Sequence, residues 1–242
     1  MEETEYLRIA ALEQHHWWYV ATRRLIGDLL EPWLSRSRSL RILDAGCGTG
    51  ATGGWLSKHG RVVGADISSQ ALRLLRERYR AVEGVEADLA ALPFDDATFD
   101  VVVAITVLYH VDDDRSAVRE LARVLRPGGV TLHIEPSMPS LRRAHDAVVD
   151  GRRRYRIGEL TALLEDAGLT VRRATYVHSY LVPFAAALAF AERIRPQPVP
   201  RSDIERPRLS RTFGALASLE RRLLARRNLP FGLSVAVVAV RE

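Results

Sequence analysis

The 242-residue chain contains a single cysteine, Cys47, and a single lysine, Lys58. One thiol excludes an internal disulfide. The other basic residues are all arginine, a bias spread through the whole chain that speaks for genomic composition as much as for a phosphate-binding face. Long apolar runs are missing: the stretch from Tyr180 to Ala191 reads as an apolar helix of about a dozen residues, short of the roughly 20 that span a bilayer. A basic leader is also absent, since Met1-Glu2-Glu3-Thr4-Glu5 is acidic, so the expected compartment is the cytoplasm.

The formal charge is +5, but residues 139 to 242 carry 19 basic and 10 acidic side chains, which leaves the first 138 net negative. An anionic partner would therefore meet the C-terminal third, and no nucleic-acid partner is expected. The densest run, Arg152-Arg153-Arg154-Tyr155-Arg156, reads as a solvated loop, with contact to an acidic substrate group as the alternative. At 47% hydrophobic, the chain can bury one large core, and its alternating strand and helix patterns indicate one α/β domain with additions.

The informative segment is Leu40-Arg-Ile-Leu-Asp-Ala-Gly-Cys-Gly-Thr-Gly50, an apolar strand that delivers Asp44 into a loop with Gly46, Gly48 and Gly50 at alternate positions. Glycine permits positive φ and lets a ligand approach bare backbone, while a helix starting near Ala51 aims free N–H groups at the turn. Dinucleotide sites favour G-x-G-x-x-G. Here the spacing is G-x-G-x-G with an aspartate ahead of it, and a second acid, Asp66, closes the next strand, Arg61-Val-Val-Gly-Ala-Asp66. That pair suits S-adenosyl-L-methionine: Asp44 for the amino group, and the two oxygens of Asp66 for the ribose diol. Asp44 could alternatively just cap the turn that follows it.

On these residues the chain resembles the class I S-adenosylmethionine-dependent methyltransferases of the type 11 group, whose motifs fall in order along residues 40 to 135. The resemblance implies a Rossmann-like, doubly wound α/β sheet of seven strands with the last antiparallel, preceded by N-terminal helices and carrying a helical insertion before the final strand. It places Asp88 and Leu89, within Glu86-Ala87-Asp88-Leu89, against the adenine, with Ile67 on the ring's other side. The fourth-strand motif maps to Phe99–Ile105, with Ala104 near the cofactor, and Leu125-Arg-Pro-Gly-Gly129 forms the turn before strand five. Cys47 is expected to be a small packing residue of the cofactor loop rather than a nucleophile.

Strands are expected over 40–44, 61–66, 82–87, 99–105, 129–135, 169–176 and 233–240, and helices over 3–15, 20–34, 51–59, 69–80, 113–125 and 158–167. The chain then divides into an N-terminal helical cap (1–36), a cofactor-binding core (37–176), an insertion (177–232) and the last core strand (233–242). The insertion is far longer than the usual connection of about 2 to 6 residues. It reads as a helix near 180–191, an extended proline-rich stretch over 195–207 and a second helix near 210–227. It is a candidate substrate lid, with plain packing on the core or contact with a membrane surface as alternatives.

His15-His16-Trp17-Trp18-Tyr19 either staples the N-terminal helices or walls a pocket. In similar proteins these helices cover cofactor and substrate, which makes Trp18 and Tyr19 wall residues and Arg23 a partner for the methionine carboxylate. Methyl transfer is an in-line displacement from an activated sulfonium, so alignment and exclusion of water are the main tasks, together with removal of the acceptor's proton. His110, following the fourth strand, is the leading candidate base, with Tyr19 and His16 next; a structural tie to Asp112 or Asp113 is the competing account of His110. Tyr109 and Phe184 complete the expected pocket wall.

Thr106-Val-Leu-Tyr109-His110 lacks the two carboxylates that some quinone-type relatives use for a divalent ion, so no metal is expected. No Asn-Pro-Pro-Tyr motif ends the fourth strand and no second cysteine exists to attack a pyrimidine, which points to a small, hydrophobic or aromatic acceptor. Whether O, N or C is methylated stays open, as does oligomeric state. The alternatives are a methyltransferase fold with a non-methylating role, as a cyclase or accessory partner, and a methyltransferase of RNA or protein.

Overall fold

A computed structural model describes residues 3–35, 39–143, 146–147, 149–194 and 210–242. Helices α1 (Glu3–Leu12) and α2 (Trp17–Leu34) precede β1 (Leu40–Ala45), and the chain then alternates through α3 (Ala51–Leu56), β2 (Gly60–Asp66), α4 (Ser69–Arg78), β3 (Val82–Glu86) and β4 (Phe99–Ile105). It continues through α5 (Asp114–Val124), β5 (Leu125–Pro136), α6 (Ile157–Asp166), β6 (Leu169–Val177), α7 (Val182–Ile194), α8 (Ser210–Leu224) and β7 (Ser234–Arg241). The sheet order is β3-β2-β1-β4-β5-β7-β6, with β7 antiparallel to both of its neighbours. The proline-rich stretch expected over 195–207 lies outside the described residues.

The central strands are apolar on both faces because helices cover both. Val101 and Val103 of β4 face α2, α3 and α4 through Ile26, Leu56 and Leu72, whereas Val102 and Ala104 face α5 and α6 through Leu121 and Leu164. Ser68 caps α4 by accepting from Ala71 N–H, and Asp113 caps α5 by accepting from Ser116 N–H. On α2, Leu25, Ile26, Leu29, Leu30 and Leu34 bury one stripe at helical spacing. That anchors the N-terminal helices on the same sheet face as the glycine loop.

Several boundaries differ from the sequence expectation by a few residues. Helix α1 stops at Leu12, and α2 starts at Trp17, because His16 Nδ1 accepts from Trp18 N–H and caps it. Strand β5 begins at Leu125, four residues early, since Gly128 at φ +76° lets the chain turn within the strand rather than before it. Nor is the arginine run simply solvated: Arg152 pairs with Asp112, Arg153 with Asp114, Arg154 with Asp146 and Arg156 with Glu159.

Candidate active site

The strand ends β1, β2 and β4 meet at the carboxyl edge of the sheet, where the glycine loop turns back. Gly46 (φ +69°) and Cys47 both donate their N–H to Ala65 O, at 2.8 and 3.0 Å. A Cβ on Gly46 would lie 2.1 Å from Val107 Cγ2, so only glycine lets the loop after β4 pack here. Gly48 (φ +52°) faces open space instead, with nothing within 4 Å of its would-be Cβ, and its N–H donates to Asp66 Oδ2 at 2.8 Å. The other oxygen, Asp66 Oδ1, accepts from Ser68 N–H at 2.9 Å.

Three carboxylates converge on this loop. Asp44 is fully buried, which pushes its carboxyl up to about 7, and its Oδ2 has no hydrogen-bond partner among the described residues. Burial also raises Asp66. The third, Glu13, comes from the turn after α1: it accepts from Thr49 Oγ1 at 2.6 Å and from Tyr79 OH at 3.2 Å, and Arg78 Nε stands 3.5 Å away. Glu13 therefore fastens the N-terminal cap to the glycine loop.

A cavity of about 1090 Å³ opens from this loop into a second compartment between α2, the turn after β4 and α7. On the loop side it is lined by Asp44, Asp66, Ile67, Asp88 and Leu89; on the far side by Trp18, Tyr109, His178, Leu181, Phe184 and Phe213. Trp18 stacks on His178 with ring centroids 4.1 Å apart, and Phe184 meets Phe213 edge-on at 5.2 Å. The turn that carries Tyr109 and His110 is held from below by buried Glu135, whose carboxyl accepts from Val107, Leu108 and Tyr109 N–H at 3.2, 3.0 and 3.3 Å.

Residues 43–133 match the family model of the methyltransferase domain. The chain is 35% identical over 180 residues to a malonyl-[acyl-carrier protein] O-methyltransferase of Enterobacter lignolyticus, an alignment that covers 72% of this chain and 71% of that one. It is also 34% identical over 185 residues to methyltransferase GfsG of Streptomyces halstedii, covering 69% and 66% of the two chains. Among solved structures, the [4+2]-cyclase SpnF superposes with a TM-score of 0.62 at 24% identity, covering 93% of this chain and 83% of its own, a likeness of fold. The chain belongs to the class I S-adenosylmethionine-dependent methyltransferases.

The residues of this methyltransferase fit the family's cofactor. Gly48 leaves a cradle that a side chain would fill, the unpartnered Asp44 Oδ2 offers a buried acceptor for an ammonium group, and each Asp66 oxygen has lone-pair capacity beyond its one backbone bond. Ile67 is largely exposed and Leu89 buried on the two sides of the expected adenine position. Cys47 lines the loop, and burial raises its thiol, as suits a packing residue.

Two expected cofactor contacts lie elsewhere. Ala104 does not line the cavity; it is fully buried in β4 between Ala45 and His133 of the flanking strands. Gly50, at φ +95°, caps α3 and packs on α4, where a Cβ would sit 2.8 Å from Leu75 and 3.0 Å from Tyr79. Arg23 lines the cavity, but its guanidinium already donates to Glu13 O at 2.8 Å and Gln14 O at 3.4 Å.

Of the candidate bases, His110 is not tied to Asp112 or Asp113. Its Nδ1 lies 3.1 Å from Asp150 O, which can only accept, so Nδ1 is assigned the proton and Nε2 is left basic. Burial holds its pKa below the usual histidine value. His16 spends Nδ1 as the helix cap, which assigns its proton to Nε2 and leaves no basic nitrogen for the pocket. Burial pushes the Tyr19 phenol far above its ordinary range, so Tyr19 can donate a hydrogen bond but is no base. Glu13, Glu135 and His178 were not anticipated, since their roles come from contacts with residues 26 to 42 positions away.

Proposed function

We propose that this methyltransferase acts on a small acceptor of hydrophobic or aromatic character, without a metal ion. The observation that carries the reading is the single cavity that runs from the glycine loop to an aromatic wall built by α2 and α7. A relative that O-methylates malonyl-[acyl-carrier protein] lends support to a metabolite acceptor. When bound, the cofactor supplies a methyl group already activated on a sulfonium. The chain's own residues then have three tasks.

Asp44, Gly48 and Asp66 fix the donor against the loop, and Trp18, Tyr109 and Phe184 exclude water and orient the acceptor, so that attack occurs in line. His110 Nε2 takes the acceptor's proton during attack, with Asp150 O holding the ring's orientation. Helices α1 and α2, with α7 and α8 of the insertion, act as the lid over this chemistry. Release of S-adenosylhomocysteine, measured with the cofactor and a panel of phenolic, amine and polyketide acceptors, tests the reading. Acceptor-dependent release is expected. Cofactor binding with no release across the panel would favour the non-methylating alternative.

A further inference from the structure

Outside the machinery described above, the cavity is lined by two buried residues, His178 and Thr22, whose side-chain hydrogen-bonding capacity the fold leaves incompletely used. His178 directly follows β6, is 3% exposed, and sits in the left-handed region at φ +59°, which a histidine adopts only at a cost in backbone energy. Its backbone N–H is fixed by Glu220 Oε1 of α8 at 2.6 Å, and its ring packs against Trp18 at 4.1 Å with the two planes tilted by 39°. Nδ1 is 3.3 Å from Ser234 Oγ, whereas Nε2 has no hydrogen-bond partner among the described residues. The ring lines the cavity. Burial keeps it neutral, its pKa lowered to about 3, so it can accept or donate a hydrogen bond but carries no charge.

The second group is Thr22. It lies one helical turn beyond Trp18 on α2, and so on the face that Trp18 turns toward His178. Thr22 also lines the cavity, and its Oγ1 is buried without a partner. A hydroxyl in a helix can bond back to the carbonyl four residues earlier, so one left unpaired and buried destabilises the fold unless a ligand completes it.

The sheet fixes how far this pair stands from the reaction. Tyr109 and His110 follow β4, whereas His178 follows β6, three strands away in the order β4-β5-β7-β6. At about 4.8 Å per strand interval that is roughly 14 Å along the sheet edge.

We propose that His178 and Thr22 form a polar anchor at the distal end of the acceptor compartment and select acceptors that carry a hydroxyl group roughly 10–14 Å from the atom that is methylated. The acceptor is then an elongated molecule, apolar along its length, in keeping with Leu181 and Phe213 in the cavity lining, and hydrogen-bonding at its tip. A hydroxyl suits this anchor because it can donate to one of the two groups while accepting from the other. The inference rests on the acceptor reading given above.

Two phenols of equal reach test it: 4-heptylphenol and 4-(6-hydroxyhexyl)phenol, titrated calorimetrically into the protein saturated with S-adenosylhomocysteine. The hydroxyl-tipped probe is expected to bind about ten-fold more tightly. That preference should collapse in His178→Phe, which keeps a ring against Trp18, and in Thr22→Val, which keeps the shape of the helix face. His178→Asn, compatible with the left-handed backbone and still polar, should restore part of it. If His178→Phe fails to fold, Thr22→Val alone decides.

Equal binding of the two probes by the wild-type protein, or a preference that survives Thr22→Val and His178→Phe, overturns the anchor and leaves the acceptor reading standing. Binding of neither probe overturns both.

Discussion

Replacing Asp66 with alanine removes the side chain expected to hold the cofactor's ribose. Each carboxylate oxygen already accepts one backbone N–H, from Gly48 at 2.8 Å and from Ser68 at 2.9 Å, and each retains a lone pair for a ribose hydroxyl. Two charge-assisted hydrogen bonds of about 1.5–3 kcal/mol each are lost, and water recovers part of that, which leaves a net cost of about 2–4 kcal/mol. The dissociation constant should rise about 30- to 1,000-fold. Calorimetry with both the cofactor and S-adenosylhomocysteine reads this directly, and a parallel melting curve shows whether freeing the Gly48 N–H has disordered the loop. Asp66→Asn, which keeps one carbonyl acceptor, should fall between. Because burial raises the Asp66 pKa, the ionised acceptor is lost as pH falls, and wild-type affinity should weaken on the acid side while the alanine variant's should not. Affinity within three-fold of wild type in a folded Asp66→Ala protein would refute the ribose assignment.

Treatment with a chelator should leave turnover unchanged, since residues 106 and 109 are not carboxylates; loss of activity that magnesium restores would contradict this. His110→Gln should lower kcat by about 10²- to 10⁴-fold with little change in cofactor affinity, and the acid limb of the wild-type pH profile, set below the usual histidine value because burial lowers its pKa, should disappear. Glu135, fully buried and raised to about 8 from an ordinary value near 4.5, binds its proton more tightly folded than unfolded. Its contribution to stability is therefore complete below about pH 4.5 and lost as pH rises through about 8, so Glu135→Gln should flatten that decline in melting temperature while costing about 1–3 kcal/mol through a poorer fit to the three backbone donors.

Much of the fold was legible because its signals are local. The run Ile42-Leu43 into a glycine loop and the alternation of Val101 to Ala104 each declare a strand whatever the rest of the chain does, and the seven strands lie within a few residues of their expected places. The geometry of the glycine loop was legible for the same reason: Asp44, Gly46, Gly48 and Asp66 sit at fixed offsets from strand ends and line one cavity. Gly50 and Ala104 show the limit of that reasoning. They belong to the motif as spacing, yet the contacts they make are with Leu75, Tyr79 and neighbouring strands, and only packing reveals which members of a motif face the ligand. The far side of the cavity was read less well. Trp18 lines it, but the group it packs on, His178, lies 160 positions along the chain and carries no motif of its own.

The placement of buried polar groups gives the site its logic. Asp44, Glu13, Glu135, Thr22 and His178 are all nearly inaccessible, and burying such groups raises the free energy of the folded state unless something offsets it. Glu135 is offset within the protein, because three backbone N–H groups meet its carboxyl, and the result is a rigid turn that presents Tyr109 and His110. Glu13 is offset too, by Thr49 and Tyr79, and its product is a cap fastened to the glycine loop. Asp44 and Thr22 differ in that each keeps one buried oxygen without a partner. Both residues line the same cavity, Asp44 at the glycine loop and Thr22 one helical turn beyond Trp18 on α2. On the proposed reading the donor reaches Asp44 and the acceptor reaches Thr22, so filling the whole cavity offsets both costs and favours the closed, dry state.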